Sequence, residues 1–152
     1  MFKRILLPTD GSALSKQAVL SGIRLAKECR AEVVGIHVVV LPGAAQLDTW
    51  LAHAPQFVQR RRALFDKLAD EYLYEITATS TVEHVPSTVV KIHAPDPWLA
   101  IARAAEDMQC DLIFMALHGW KGPRANTPGS ETIRVLLEST VPVLVHRFAE
   151  VA

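Results

Sequence analysis

The sequence predicts an α/β fold in which helices cover both faces of a parallel β-sheet. Short segments rich in β-branched residues alternate with segments of helical periodicity, which is typical of parallel sheets. Two of the β-rich segments, residues 38–40 and 112–117, are continuously apolar, as expected for strands that are buried on both faces. The chain of 152 residues is 50% hydrophobic and 21% charged, which suits one domain over residues 1–152 with a substantial core. This composition excludes a disordered chain.

The first part of the chain predicts a strand, a turn, a helix and a second strand. Residues 2–7 are predicted to form the first strand and residues 8–12 the turn. Apolar or small residues then recur at spacings of three and four, which predicts a helix over residues 13–29: Leu14, Ala18, Gly22, Leu25 and Cys29. The valine-rich residues 32–41 are predicted to form the second strand.

The middle of the chain is less regular. Residues 42–55 contain a glycine and two prolines and are either a mobile flap or partly helical. Residues 57–76 predict a long helix, whose basic start (Arg60, Arg61 and Arg62) is expected to be a solvated face. A third strand is predicted over residues 79–85, with a further extended piece at residues 89–92.

The last part of the chain has the clearest boundaries. Asp96 is the predicted cap of a helix, and Pro97 suits the first helical turn because its missing N–H has no partner there. The fourth strand is predicted over residues 111–117. A last helix is predicted to run from Ser130 through residue 138, and the fifth strand over residues 141–147.

Charge and cysteine content restrict the class of protein. Sixteen basic residues balance sixteen acidic ones, which argues against a strongly basic nucleic-acid binder. Two cysteines do not make a disulfide scaffold, so a reducing compartment is expected. The first residues lack a signal-peptide pattern, and no apolar run is long enough to cross a membrane. We therefore expect a soluble cytoplasmic protein with no nucleic-acid or membrane partner.

Two strand ends carry residues suited to ligand binding. In open α/β sheets, ligands bind at the carboxyl ends of the strands. Thr9, Asp10 and Ser12 follow the first strand at the start of a helix. The alternative is that Asp10 and Ser12 are ordinary turn and capping residues.

The second of these ends follows the fourth strand. His118 and Gly119 come first, then nine residues, then Gly129 and Ser130 before a helix. Glycine lets the backbone approach a ligand closely, and the N–H groups at a helix start favour phosphate. The alternative is a loop in which the glycines allow turns and Ser130 caps the helix. Neither a Walker sequence nor the Gly-x-Gly-x-x-Gly motif occurs.

The residue pattern indicates neither a metal site nor a nucleophilic catalytic site. The six histidines show no metal-ligand spacing with each other or with the cysteines. The Gly-x-Ser-x-Gly motif is absent, and no general base is placed for turnover. We therefore predict neither catalytic nor metal-binding residues.

Together and in this order, these segments resemble the universal stress protein family. The resemblance runs from Lys3-Arg4-Ile5-Leu6-Leu7-Pro8-Thr9-Asp10-Gly11-Ser12 to Val141-Pro142-Val143-Leu144-Val145. ATP-binding members carry Gly, two residues, Gly, nine residues and Gly-Ser. Gly119, Gly129 and Ser130 match this spacing, whereas Ala116 takes the place of the first glycine.

The resemblance implies a fold and a nucleotide site. The fold is a three-layer, Rossmann-like sandwich of the adenine nucleotide alpha hydrolase type, with five parallel strands. The ligand is ATP, with Mg²⁺ as a candidate companion. Thr9 and Asp10 are expected beside the adenine and ribose, and Val38 near the adenine. The full set of implied nucleotide-binding residues is Pro8, Thr9, Asp10, Val38, Met115, Ala116, Gly119, Gly129, Ser130 and Glu131.

Three charged residues bear on the phosphates of such a ligand. Lys121 and Arg124 either neutralise phosphate charge or belong to a solvated loop. The carboxylate of Glu131 interacts favourably with the helix dipole, but it repels phosphate unless Mg²⁺ or a lysine lies between them.

The resemblance also implies a role. It indicates a stress-response protein in which ATP is a switch of conformation or partner choice, with slow hydrolysis at most. The alternative is a dimeric interaction module that binds no nucleotide. A homodimer is expected through the last strand, which contains Val143, Leu144 and Val145, because an apolar strand at a sheet edge invites pairing.

Overall fold

The computed structural model describes residues 1–117 and 130–147, which form a five-stranded sheet with helices on both faces. All strand pairs are parallel, and the strand order is β3-β2-β1-β4-β5. The predicted fold class is confirmed. In chain order the elements are β1 (Arg4–Pro8), α1 (Ala13–Cys29), β2 (Glu32–Val40), α2 (Ala44–His53), α3 (Pro55–Val82), β3 (Ser87–Ala94), α4 (Pro97–Asp107), β4 (Leu112–Leu117), α5 (Ser130–Glu138) and β5 (Val143–Arg147).

Two hydrophobic clusters lie on opposite faces of the sheet because side chains alternate along each strand. Ile5 and Leu7 of β1 pack into the cluster under α1 and α3, whereas Leu6 packs into the cluster under α4 and α5. All three side chains have no exposed surface. The apolar central strands are therefore buried on both faces, as their sequence indicates. In the described part of the chain, no helix is long and apolar enough to cross a membrane.

The third strand lies later in the chain than the sequence predicted. The prediction over residues 79–85 is wrong, because α3 continues to Val82 and β3 is Ser87–Ala94. The β-branched residues at the end of α3 favour strand by propensity, but Thr77 and Thr81 donate their hydroxyls to helix carbonyls four residues earlier. Ile76 and Ser80 bury this part of α3 against the sheet, so packing outweighs the local propensity. The extended piece predicted at residues 89–92 lies inside β3.

The segment between β2 and the second half of α3 forms an arm beside the sheet. The prediction of a partly helical segment at residues 42–55 is confirmed by α2, none of whose residues is buried. All buried residues of α3 lie in its second half: Ala69, Leu73, Ile76 and Ser80. The 28 residues of α3 span ~42 Å, more than the ~26 Å of the eight-residue β3. Residues 44–65, called the arm below, therefore extend past the carboxyl edge of the sheet.

Ion pairs attach α3 to the edge strand β3 directly after the arm. Lys91 Nζ lies 2.9 Å from Asp70 Oδ1, and His93 Nε2 lies 2.6 Å from Asp66 Oδ1. The hydrogen bond from His93 is the main reason why the pKa of Asp66 lies below its ordinary value. These contacts place charges along the β3 edge of the sheet.

The lowered pKa of Asp66 predicts an acid-dependent contribution to stability. The unfolded state binds this proton more readily, so the stability that the carboxylate contributes is present above its ordinary pKa of 3.8 and is lost as the pH falls through the lower folded value. We expect Asp66→Asn to lose less thermal stability than the parent protein on acidification from about pH 5 to about pH 3. Thermal denaturation across this range measures the effect, with Asp48→Asn on α2 as the control. Identical pH dependence in Asp66→Asn and the parent protein would contradict the prediction.

Candidate functional site

A cleft of about 750 Å³ opens at the carboxyl edge of the sheet, above the ends of β1, β2 and β4. The chain crosses from one side of β1 to the other between β3 and β4, so the cleft lies where the strand order reverses. Its lining includes Ser12 and seven of the ten nucleotide-binding residues that the family resemblance implies: Pro8, Thr9, Asp10, Val38, Met115, Ala116 and Glu131. The fold therefore brings these residues together, whereas their contact with a ligand stays a prediction.

The turn between β1 and α1 is held by its own hydrogen bonds. Ser12 is the N-cap of α1 and accepts a hydrogen bond from the backbone N–H of Ser15. Asp10 Oδ1 accepts from the N–H of Ser12 at 2.9 Å. The N–H of Gly11 donates to Thr9 Oγ1, and the N–H of Asp10 donates to Ser15 Oγ. The turn role of Asp10 and the capping role of Ser12 are thus confirmed.

These bonds determine what the turn offers to a ligand. The N–H groups of residues 10, 11, 12 and 15 are already engaged, so this helix start has few donors left for an anion. Asp10 is exposed and uses only Oδ1 within the turn, so its second carboxylate oxygen faces no described partner. The turn therefore presents a hydrogen-bond acceptor rather than an anion site.

His37 and Tyr72 form part of the cleft wall, and the sequence analysis did not select either of them. His37 Nδ1 lies 2.7 Å from the carbonyl oxygen of Thr9, so this nitrogen carries the proton and donates. The ring of Tyr72 meets the ring of His37 edge to face at a centroid distance of 5.3 Å. The position of His37 directly before Val38 was the available signal, because Val38 was already assigned to the site.

The β4 side of the cleft is small and apolar. Met115 is buried, and its neighbour Ala116 stands where the family pattern has its first glycine. The carbonyl oxygen of Ala116 accepts a hydrogen bond from Thr132 Oγ1 at 3.0 Å. Thr132 is buried near the start of α5 and connects that helix to the end of β4. The start of α5 is therefore fixed at this edge of the cleft.

Glu131 caps a neighbouring helix. Its Oε2 accepts a hydrogen bond from the backbone N–H of Trp98, in the first turn of α4, at 2.8 Å. Asp96 occupies the N-cap position of α4, but its side chain makes no capping hydrogen bond, so the prediction that Asp96 supplies the cap is wrong. A carboxylate from a different helix fills this role. The positive end of the α4 dipole partly compensates the charge of Glu131.

Arg61 and Phe65 of the arm, together with Leu68 shortly after it, form the remaining wall of the cleft. Arg60 and Arg62 are exposed, as expected, but the prediction is wrong for Arg61, which is half-buried. The Arg61 guanidinium lies 4.3 Å from the ring centroid of Phe65 and 5.3 Å from that of Trp50. Only the packing of α2 against α3 brings Trp50 to this position, so the charge run alone did not distinguish Arg61 from its neighbours.

Some predicted site residues lie outside the described residues. They are His118, Gly119, Lys121, Arg124 and Gly129, together with the side chain of Ser130. Ser130 begins α5, as predicted. Within residues 1–117 and 130–147, no three histidine, cysteine or acidic side chains are grouped so that they could hold a metal ion.

Relatives in sequence extend over nearly the whole chain. The sequence profile of the Universal stress protein family matches residues 1–147. The chain is 31% identical over 151 residues to Universal stress protein MJ0531 of Methanocaldococcus jannaschii, with 95% of this chain and 82% of the relative covered. It is 27% identical to Universal stress protein YxiE of Bacillus subtilis, covering 97% of this chain and 100% of the relative.

Solved structures show the same fold. The structure of the hypothetical protein MJ0577 superposes with a TM-score of 0.76 at 23% identity and 99% coverage of both chains. A universal stress protein in complex with cAMP has a TM-score of 0.63 at 17% identity, covering 96% of this chain and 97% of that chain. One from Archaeoglobus fulgidus in complex with dAMP has a TM-score of 0.62 at 16% identity, covering 95% and 97%. The profile match and the sequence relatives show that the chain belongs to the universal stress protein family.

Proposed function

We propose that the cleft binds an adenine nucleotide, with ATP as the ligand, and that binding switches the conformation or the partner of the protein. The observation that carries this proposal is a cleft of about 750 Å³ at the point where the strand order reverses, with a helix start beside it. This volume lies in the range of small-molecule sites. The relatives in complex with cAMP and dAMP support an adenine nucleotide as the ligand class.

The residues present fit the parts of a nucleotide. Val38, Ile101 and Met115 supply apolar surface for a purine. The unengaged oxygen of Asp10 suits a ribose hydroxyl or an amino group, both of which donate hydrogen bonds. The start of α5 suits phosphate, because the N–H groups of a helix start and the helix dipole both favour an anion. In this proposal Gly119, Gly129 and Ser130 hold the ribose and phosphates, as the family pattern implies.

The proposal includes Mg²⁺ as a companion of the phosphates. Glu131, in the first turn of α5, has no described partner for Oε1, and Mg²⁺ characteristically combines one or two carboxylates with phosphate oxygens and water. Glu131 is engaged by the N–H of Trp98, which reduces its repulsion of the phosphates. Slow hydrolysis at most, and a cytoplasmic location, stay predictions.

Removing the Asp10 carboxylate tests the site. We expect Asp10→Ala to weaken ATP binding roughly tenfold, the scale of one hydrogen bond to a charged group. It should cost only about 1 kcal/mol of stability, because the turn loses one exposed capping bond. Isothermal titration calorimetry measures the affinity, and thermal denaturation measures the stability.

Asp48→Ala, an exposed aspartate on α2, is the matched control and should bind ATP like the parent protein. Unchanged affinity in folded Asp10→Ala would restrict Asp10 to its capping role. Absence of ATP binding by the parent protein at millimolar concentrations would contradict the proposed function and favour the alternative, a dimeric interaction module that binds no nucleotide.

We further propose a homodimer through β5. This strand lies at one end of the sheet, and no described strand pairs with its outer edge. On the β3 edge, Lys91 pairs with Asp70 and His93 contacts Asp66, whereas Val143, Leu144 and Val145 make most of β5 apolar. The adjacent helix α5 exposes Leu136 and Leu137 at 50% and 75%. A second copy placed on β5 about a two-fold axis would cover this apolar surface.

A further inference from the structure

We propose that Arg61 on the arm recognises a phosphoryl group of the bound nucleotide and thereby makes the cleft selective for nucleotides over nucleosides. This inference rests on the proposed function, since it assigns a further residue to the same cleft. Nothing in the family pattern points to this position, because Arg61 lies between the first strand end (residues 8–12) and the glycine pattern (residues 116–130).

Arg61 and Tyr72 of α3 both line the cleft. The ring of Tyr72 contacts His37, whose Nδ1 binds the carbonyl oxygen of Thr9 just past the end of β1. Arg61 precedes Tyr72 by eleven residues, or about 16 Å along the helix axis. Both residues line the same cleft, so in this proposal Arg61 binds one phosphoryl group from the α3 side, and the start of α5 binds the others.

The guanidinium of Arg61 is positioned but not neutralised. The rings of Trp50 and Phe65 lie within 5.3 Å and 4.3 Å of it and restrict its movement. Neither an ion pair nor a hydrogen bond joins Arg61 to any other residue of the described ranges 1–117 and 130–147. Its planar N–H groups thus keep their capacity for a bidentate oxyanion.

The acidic residues described in the cleft, Asp10 and Glu131, form no ion pair with Arg61. Asp10 accepts the N–H of Ser12, and Glu131 accepts the N–H of Trp98. A half-buried arginine against aromatic rings is only partly hydrated, so pairing with a phosphoryl group costs less desolvation than it does for an exposed arginine. Phosphate is the anionic part of a nucleotide, and it is the group that this fork-shaped donor fits.

The test compares ATP with adenosine, because the two ligands share the base and sugar and differ in the phosphates. We expect Arg61→Gln to weaken ATP binding by roughly ten- to a hundredfold and to leave adenosine binding unchanged, as measured by calorimetry. Raising the salt concentration should weaken ATP binding more in the parent protein than in the variant.

Arg60→Gln is the matched control. It removes the same charge one residue away, from an exposed side chain outside the cleft, and should bind ATP like the parent protein. Equal losses for ATP and adenosine in Arg61→Gln would overturn the proposal in favour of base stacking or a structural role of the arm. Unchanged ATP affinity in Arg61→Gln would also overturn it. If the parent protein bound no ATP at all, the proposed function itself would fail.

Discussion

Gly11→Ala is expected to lower the free energy of unfolding by about 3 kcal/mol. This figure adds the cost of a left-handed backbone conformation for alanine to the cost of steric overlap of its Cβ atom. Gly11 has a φ of +79°, and a Cβ atom there would lie 2.3 to 2.6 Å from three ring atoms of Tyr72. The phenol ring would have to leave its place against His37 in the cleft wall. Thermal denaturation should show a loss of roughly 10 °C for a chain of this length.

Two further variants separate the causes of this loss. Gly43→Ala is the control for steric overlap: a Cβ at Gly43 meets nothing within 4 Å and its φ is −58°, so only the less favourable residue at the N-cap of α2 should cost stability, at most about 1 kcal/mol. In a Tyr72→Ala background the overlap disappears, and Gly11→Ala should then cost only the backbone part, about 1 kcal/mol. Equal costs of Gly11→Ala in both backgrounds would show that the ring of Tyr72 does not restrict this position.

Val145→Lys is expected to convert the proposed homodimer to a monomer at tens of micromolar protein. In the proposed dimer each copy would bring one lysine into the interface at β5. An ammonium group on an edge strand opposes strand pairing. Val145 is a better choice than Leu144, whose side chain packs against the cluster that contains Phe114. Multi-angle light scattering measures the mass, and circular dichroism checks that the variant is folded.

The opposite edge of the sheet supplies the control for the dimer. Val89→Lys on β3 introduces the same charge on the other edge strand, where Val89 is 39% exposed, and should leave the mass unchanged. A parent protein that is monomeric under these conditions would refute the dimer. A dimer that dissociates in Val89→Lys but persists in Val145→Lys would show that the interface lies at β3 and not at β5.

Local sequence patterns predicted much of this fold because, in several segments, residue propensity, apolar pattern and capping residues all favour the same secondary structure. The apolar runs of β1, β2 and β4 indicated buried parallel strands, and Ser12 and Pro97 marked helix starts that the structure shows. The order of these segments also predicted the family, which the comparisons confirm. Such features depend on neighbouring residues, so they can be inferred without knowledge of the packing.

Other features depended on contacts between distant residues. The threonine-rich end of α3 is helical because the sheet buries Ile76 and Ser80, and Glu131 caps α4 although it lies 33 residues beyond Trp98. Arg61 differs from Arg60 only because Trp50 and Phe65 meet around it.

The sequence by itself therefore determined the fold class and the strand ends at which a ligand is expected, because these follow from periodicity and turn chemistry. The family followed from the resemblance of its segments to the universal stress proteins. Only the tertiary structure decided which polar groups of the cleft are already engaged and which are left for a ligand. Hydrogen-bond partners and burial depend on side chains that meet across the sheet, and no local pattern encodes those encounters.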